Sequence, residues 1–234
     1  MFNKLKESET METPMTLAAT LCLGAVCALL PTTTGRCQDS AERGAYLNAG
    51  AGPAWTPDVT VKEILVPVSG VKAKFDVGSR FDVSGGYRFN RWLAGELEAG
   101  VAYNSIRSIA GGTVDGSIAN FPLTANIVFR YPNSSRWEPY IGGGGGVSIS
   151  ALTLDNASLG SGVTLDGSAS DAVFAYQGFA GLRYNFNDRM SLGACYKFLG
   201  TGNSSWDVEG AASGHIRIEG LVTHTVGVTF TFRF

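Results

Sequence analysis

Phe75-Asp-Val-Gly-Ser-Arg-Phe-Asp-Val-Ser-Gly-Gly-Tyr-Arg-Phe89 decides the architecture. Successive side chains of an extended strand point to opposite sides, so a period of two sorts this stretch into faces. Phe75, Val77, Phe81, Val83, Tyr87 and Phe89 share one face; Asp76, Arg80, Asp82, Ser84 and Arg88 share the other. One face needs an apolar surrounding, and the other carries charges that must be solvated or paired.

The pattern continues on both sides. Leu93, Leu97, Ala99, Val101 and Tyr103 oppose Glu96, Glu98, Ala102 and Asn104, and Phe121, Leu123, Ala125, Ile127, Phe129 and Tyr131 oppose Asn120, Thr124, Asn126 and Arg130. Phe174, Tyr176, Ala180, Leu182, Tyr184 and Phe186 oppose Gln177, Arg183 and Asn185; Met190, Leu192, Ala194, Tyr196 and Phe198 oppose Ser191, Gly193, Cys195 and Lys197. In the last segment Val222, Val226, Val228, Phe230, Phe232 and Phe234 face away from Thr223, Thr225, Thr229, Thr231 and Arg233. Weaker strands at residues 44–52 and 137–149, the latter around Ile141, Val147 and Ile149, bring the set to eight.

Connections alternate in length. Residues 53–74, 105–117, 150–171 and 199–219 are long, whereas 90–91, 132–136 and 187–190 are short and carry the turn residues Asn90-Arg91, Pro132-Asn133-Ser134-Ser135 and Asn187-Asp188. A sandwich of two sheets is the competing architecture. It gives no reason for alternating loop lengths, and strands approaching 15 residues exceed the usual range of globular sheets. Short turns at one end and long loops at the other define an all-β, closed, eight-stranded antiparallel up-and-down transmembrane barrel. Its aromatics near the short turns, Phe89, Trp92, Tyr131, Trp137, Tyr184 and Phe186, suit an interfacial girdle.

Composition agrees. Charged residues are 16% of the chain, Gly numbers 31, and mean hydropathy is +0.09, yet no apolar run beyond residue 30 approaches the roughly 20 residues of a membrane-spanning helix. The formal charge of −2 offers no basic face for nucleic acid. Cys22, Cys27, Cys37 and Cys195 make no disulfide framework; Cys195 reads as a small strand residue.

Residues 15–30, MTLAATLCLGAVCALL, have the length of a signal-peptide apolar region, with Lys4 and Lys6 ahead of it. Glu7, Glu9 and Glu12 are unusual there, so Met11 and Met15 are alternative starts. The signal peptide and processing region is placed at residues 1–36, with cleavage between 28 and 41, and the barrel domain at 44–234. Arg36 before Cys37 argues against a lipidated cysteine, which prefers small residues upstream.

Three passages resemble the eight-stranded bacterial outer-membrane barrels of the opacity type and the OmpA- and OmpX-like barrel domains: Trp137-Glu-Pro-Tyr-Ile-Gly-Gly-Gly-Gly-Gly-Val147, Gln177-Gly-Phe-Ala-Gly-Leu-Arg-Tyr184 running on to Ser191-Leu-Gly-Ala-Cys-Tyr-Lys-Phe198, and Val226-Gly-Val-Thr-Phe-Thr-Phe-Arg-Phe234. The resemblance implies a cell outer-membrane location of Gram-negative type with both termini periplasmic, and contact with outer-membrane lipid and lipopolysaccharide. It also implies insertion by the barrel-assembly machinery, which reads a terminal aromatic strand; Phe230, Phe232 and Phe234 fill that role. With the last strand ending at Phe234, no peptidoglycan-binding domain is expected to follow the barrel.

Eight strands enclose a lumen that side chains fill, or that holds one small ligand. Its inward parity collects Arg80, Asp82, Arg88, Glu96, Glu98, Arg130, Arg183, Lys197 and Arg233, read as a charge-paired plug in preference to a narrow gated path. No catalytic constellation, cofactor or metal site emerges. His224 shares the lipid-facing parity without a Ser partner, and His215 lies beside Ser213 and Gly214 with no carboxylate orienter. Gly142 to Gly146 lack the Lys-Ser/Thr and helix of a phosphate loop and read as close packing. Asp155, Asp166, Asp171, Trp206, Asp207 and Glu209 belong to solvated, surface-presenting loops without calcium-loop spacing. The function expected is a monomeric, non-enzymatic, porin-like envelope protein of structural and surface-presenting role. A narrow channel or carrier for a small solute is the alternative, and a lipid-modifying enzyme is third.

Overall fold

The computed structural model describes residues 43–64, 66–67, 72–109, 112–159, 163–208 and 214–234. The signal-peptide region, Cys22, Cys27, Cys37, Glu209 and Ser213 lie outside the described residues. So do the side chains of Asp155, Asp166, Asp207 and His215.

Among the described residues the strands are β1 (Gly44–Trp55), β2 (Val59–Ile64), β3 (Val66–Pro67), β4 (Lys72–Phe75), β5 (Gly78–Arg88), β6 (Leu93–Ile109), β7 (Gly112–Arg130), β8 (Trp137–Leu159), β9 (Val163–Asn185), β10 (Met190–Thr201), β11 (Ser204–Val208), β12 (Gly214–Ile218) and β13 (Val222–Arg233). Eight of them close a ring of antiparallel pairs in the order β1, β5, β6, β7, β8, β9, β10, β13 and back to β1. Ala49 pairs with Val83 on one side and Phe230 on the other, so the first and last barrel strands join. The alternation therefore specified the fold correctly: an all-β closed barrel of eight strands.

Each short turn is fastened by an asparagine. Asn90 Oδ1 accepts from the Trp92 and Leu93 amides at 2.8 and 2.9 Å, and Asn187 Oδ1 accepts from the Arg189 and Met190 amides at 2.9 and 2.8 Å. Asn133 Oδ1 accepts from the Ser135 amide at 2.8 Å and its hydroxyl at 2.6 Å. Side-chain carbonyls that mimic a backbone acceptor are what make Asn a turn residue.

The long connections differ from their sequence reading. Residues 105–117 and 150–171, taken as loops, are largely strand: β6–β7 and β8–β9 continue as hairpins, and β8 and β9 reach 23 residues each. Residues 53–74 and 199–219 hold β2–β4 and β11–β12, and β12 pairs with β2, β2 with β4, and β4 with β6.

The cause is an inversion of the apolar face. Up to Tyr103, Phe121, Ile149 and Phe174 the large apolar residues other than Tyr46, Val128, Tyr140 and Phe179 point outward and are exposed or half-buried. Beyond those points Ile106, Ile118, Leu152, Leu154 and Val173 point inward and are buried, while Ser105, Arg107, Ser117, Thr153 and Ser170 face out. Lipid rewards apolar residues on the outside of a barrel, and water rewards them on the inside. The inversion therefore marks where the strands leave the bilayer.

Aromatic bands bracket the apolar belt. Trp92 packs edge-on to Tyr131, and Trp137 to Tyr184, at the short-turn end. Trp55, His224 and Tyr196 stack at the other end, with Phe198, Tyr176 and Phe174 beside them. Phe234 and His224 are ten positions apart on and just beyond β13, which at strand rise and barrel tilt gives about 25 Å, the height of an outer-membrane apolar band.

Candidate functional site: the barrel lumen

The residues that lipid does not face are gathered in the lumen, in three layers. The middle layer is ionic. Arg80, on β5, approaches Glu98 at 2.9 Å and Asp82 at 3.4 Å, and donates to Gln177 Oε1 at 2.7 Å. Lys197, on β10, reaches Asp82 at 3.0 Å and Glu98 at 2.9 Å. Gln177 donates onward to Thr124 Oγ1 at 2.8 Å and Asn126 Oδ1 at 3.1 Å. In the ring order β5 stands opposite β9, and β6 opposite β10. The Arg80–Gln177 and Lys197–Glu98 bonds therefore cross the full lumen. Arg80, Asp82, Glu98, Gln177 and Lys197 are all buried, and their charges balance two against two.

The layer toward the short turns mixes arginines with aromatic rings. Glu96 accepts from Tyr46 Oη at 2.6 Å and Ser84 Oγ at 3.3 Å and lies 3.9 Å from Arg183. Glu138 bridges Arg130 at 3.4 Å and Arg183 at 3.5 Å. The Arg183 guanidinium sits 4.1 Å from the Tyr140 ring centroid, close enough for cation–π attraction. Arg233 donates to Asn185 Oδ1 at 2.5 Å and Ser191 Oγ at 3.0 Å, and Arg130 donates to the Asn90 carbonyl at 2.7 Å. Tyr46, Tyr140, Phe179, Ala94, Val128 and Cys195 form an apolar cluster among these charges.

Among the described residues, the layer toward the long connections carries no buried charge and mixes apolar side chains with the hydrogen-bonded Thr56, Asn104, Asn120, Ser150 and Thr223. Trp206, on β11, is fully buried, as are Leu152 and Leu154 on β8, and its Nε1 donates to the Ser150 carbonyl at 3.0 Å. A residue expected in a solvated loop is thus buried and bonded to a barrel strand. Asp171, from the same reading, accepts from the Ser205 amide at 2.9 Å and helps hold β11 down.

All nine charged residues of the inward parity line the lumen. Arg88 stands at its short-turn mouth, half-buried, with its Nε buried and without a hydrogen-bond partner. Glu138, Gln177 and the inward rings complete the site and were not singled out from the sequence. Phe179 falls in a Gly-Phe-Ala-Gly run whose outward neighbours are also apolar, so alternation does not reveal it. Its signal is the glycine opposite: a Cβ on Gly142 would lie 2.5 Å from the Phe179 ring, one on Gly181 2.5 Å from Tyr140 Oη, and one on Gly86 2.4 Å from the Tyr46 ring. Gly144 approaches the Ala125 carbonyl so closely that a Cβ would sit 1.9 Å from it. The run from Gly142 to Gly146 is close packing of β8 on its neighbours.

Outside the lumen, Phe230 and Phe234 are exposed and Phe232 half-buried on the lipid-facing side. His224 stacks with Trp55 and exchanges a 2.7 Å hydrogen bond with Tyr196 Oη. Among the described residues, no group of three or more His, Cys, Asp or Glu is placed to hold a metal ion.

A closed ring of eight strands with a lipid-facing apolar belt, two aromatic bands and an ion-paired lumen defines a transmembrane β-barrel. The model of the outer membrane protein beta-barrel domain matches residues 18–234; the chain belongs to that outer-membrane family. No curated protein matches it. Among solved structures, OprG from Pseudomonas aeruginosa superposes with a TM-score of 0.59 at 15% identity, covering 82% of this chain and 98% of that one. Neisserial surface protein A gives 0.51 at 17% identity, covering 82% and 97%. The outer-membrane protease OmpT from Escherichia coli gives 0.52 at 8% identity, covering 82% and 97%. At these identities the likeness is one of fold.

Proposed function

We propose that this protein is a non-enzymatic structural component of the outer membrane, closed to solutes, which presents its long hairpins to the exterior and its short turns to the periplasm. The observation that carries this reading is the pair of bonds spanning the lumen, Arg80 to Gln177 and Lys197 to Glu98. A path for ions would have to break both, leaving buried charges uncompensated, which costs several kcal/mol each. The buried Trp206, bonded to the Ser150 carbonyl, adds apolar bulk toward the long connections.

Other parts fit the same role. Short turns on the periplasmic side and long segments outside are the usual arrangement of such barrels, and put both ends of the described chain in the periplasm. The Trp55, His224 and Tyr196 band then meets the lipopolysaccharide leaflet. His224 has aromatic neighbours there, where a catalytic base would need a nucleophile and an orienting carboxylate. Phe230, Phe232 and Phe234 present the aromatic signal to the barrel-assembly machinery. The protein is assigned as a monomer.

Single-channel recording of the purified protein in planar bilayers tests the reading. Silence under applied voltage is expected. Steady openings of appreciable conductance contradict it and favour a channel or carrier.

A further inference from the structure

Arg88, Arg130, Arg183 and Arg233 come from β5, β7, β9 and β13, every second strand of the ring, and converge at the short-turn mouth of the lumen. Two carboxylates, Glu96 and Glu138, face them from the strands between. Both are already engaged: Glu138 is shared by Arg130 and Arg183, and Glu96 is bonded to Tyr46 and Ser84. Arg233 has only the neutral partners Asn185 and Ser191 within hydrogen-bond distance. The Nε groups of Arg88, Arg130 and Arg183 are buried without hydrogen-bond partners. Arg88 is repelled by Arg130 and Arg233, and Arg233 by Arg183 and Arg130; Glu138 is the chief attraction on both, and the exposed turn residue Asp188 a weaker one on Arg233. Four guanidinium charges thus meet two internal carboxylates; Arg130, Arg183 and Arg233 are buried and Arg88 is half-buried.

Uncompensated buried charge is unfavourable unless a counter-charge with hydrogen-bond acceptors completes it. Guanidinium forks pair best with planar or tetrahedral oxyanions, which accept two parallel bonds. We propose that this mouth is a binding site for a small phosphate-bearing anion, held by Arg88 and Arg233 and by the unpaired Nε edges of Arg130 and Arg183. Arg91, Arg136 and Arg189, on the three turns, are exposed and stand outside this site. With the lumen closed above the site, the anion is retained at the mouth and does not pass.

The test is titration of the folded full-length protein in detergent with inorganic phosphate and pyrophosphate at constant ionic strength, followed by calorimetry. Saturable binding by both is expected, pyrophosphate the tighter. The paired substitution Arg88→Gln with Arg233→Gln should weaken it about tenfold or more, the value of lost charge-assisted bonds. Arg91→Gln with Arg189→Gln, on the exposed turns, should leave the saturable component within about twofold, the scale of surface charge effects. If the first pair does not fold, Arg88→Lys keeps the charge, loses the fork and should still weaken binding. Absence of saturable binding by the natural sequence overturns the proposal, as does equal weakening by the turn substitutions or undiminished binding in the Arg88 variants. Conductance is a separate readout, so a conducting barrel and a barrel that binds no phosphate are distinguishable failures.

Discussion

At the scale of the residue, Lys197 holds the charge balance of the middle layer of the lumen. Its ammonium lies between Asp82 and Glu98 and 5.4 Å from the Phe179 ring centroid. Lys197→Ala removes one cation from a buried set of four charges and leaves two carboxylates with Arg80 alone. Breaking a buried pair in this way costs about 3–5 kcal/mol, so the urea midpoint of the refolded variant should fall markedly. An unchanged midpoint would mean that the ionic layer does not help hold the barrel together. The contrast is Arg107 with Asp76, an exposed pair outside the long-loop end, where solvent limits the contribution to at most about 1 kcal/mol. Distance alone does not rank the two interactions; burial does.

At the scale of the element, the β8–β9 hairpin has two parts with different duties. Below Ile149 and Phe174 its outward face meets lipid; above them Leu152, Leu154 and Val173 turn inward, and the hairpin belongs to water. Deleting residues 153–170 and joining the shortened strands by a tight turn should leave the membrane part intact. The variant should still be recovered from the outer membrane and still show a heat-modifiable gel shift. Loss of that shift would contradict the division. The same inversion explains what the sequence made legible. The belt strands were readable because lipid outside and charge inside give strict alternation, as in Phe81, Asp82 and Val83. Where alternation reversed, at Ile106, Ile118 and Leu152, strand looked like loop, because Ser, Thr and Gly occupied the positions that aromatics hold lower down. The nine lumen charges were readable for the same reason. Glu138 was hidden by the proline beside it, and the inward rings by their apolar neighbours.

At the scale of the whole molecule, polarity and closure combine. Arginines crowd the short-turn end, at Arg88, Arg130, Arg183 and Arg233 in the lumen and Arg91, Arg136 and Arg189 on the turns, whereas the middle layer balances its charges and the far layer carries no buried charge among the described residues. A barrel of eight strands leaves little room for water once side chains occupy its lumen, and here two bonds between opposite strands cross it. The measurement that tests this most directly compares bilayer conductance of the natural protein with that of the fourfold variant Arg80→Ala, Asp82→Ala, Glu98→Ala, Lys197→Ala. That variant removes the ionic layer without leaving any of its four charges unpaired. Silence is expected from the natural protein, and steady openings from a variant that retains its heat-modifiable fold. A conducting natural protein, or a folded variant as silent as its parent, would contradict it.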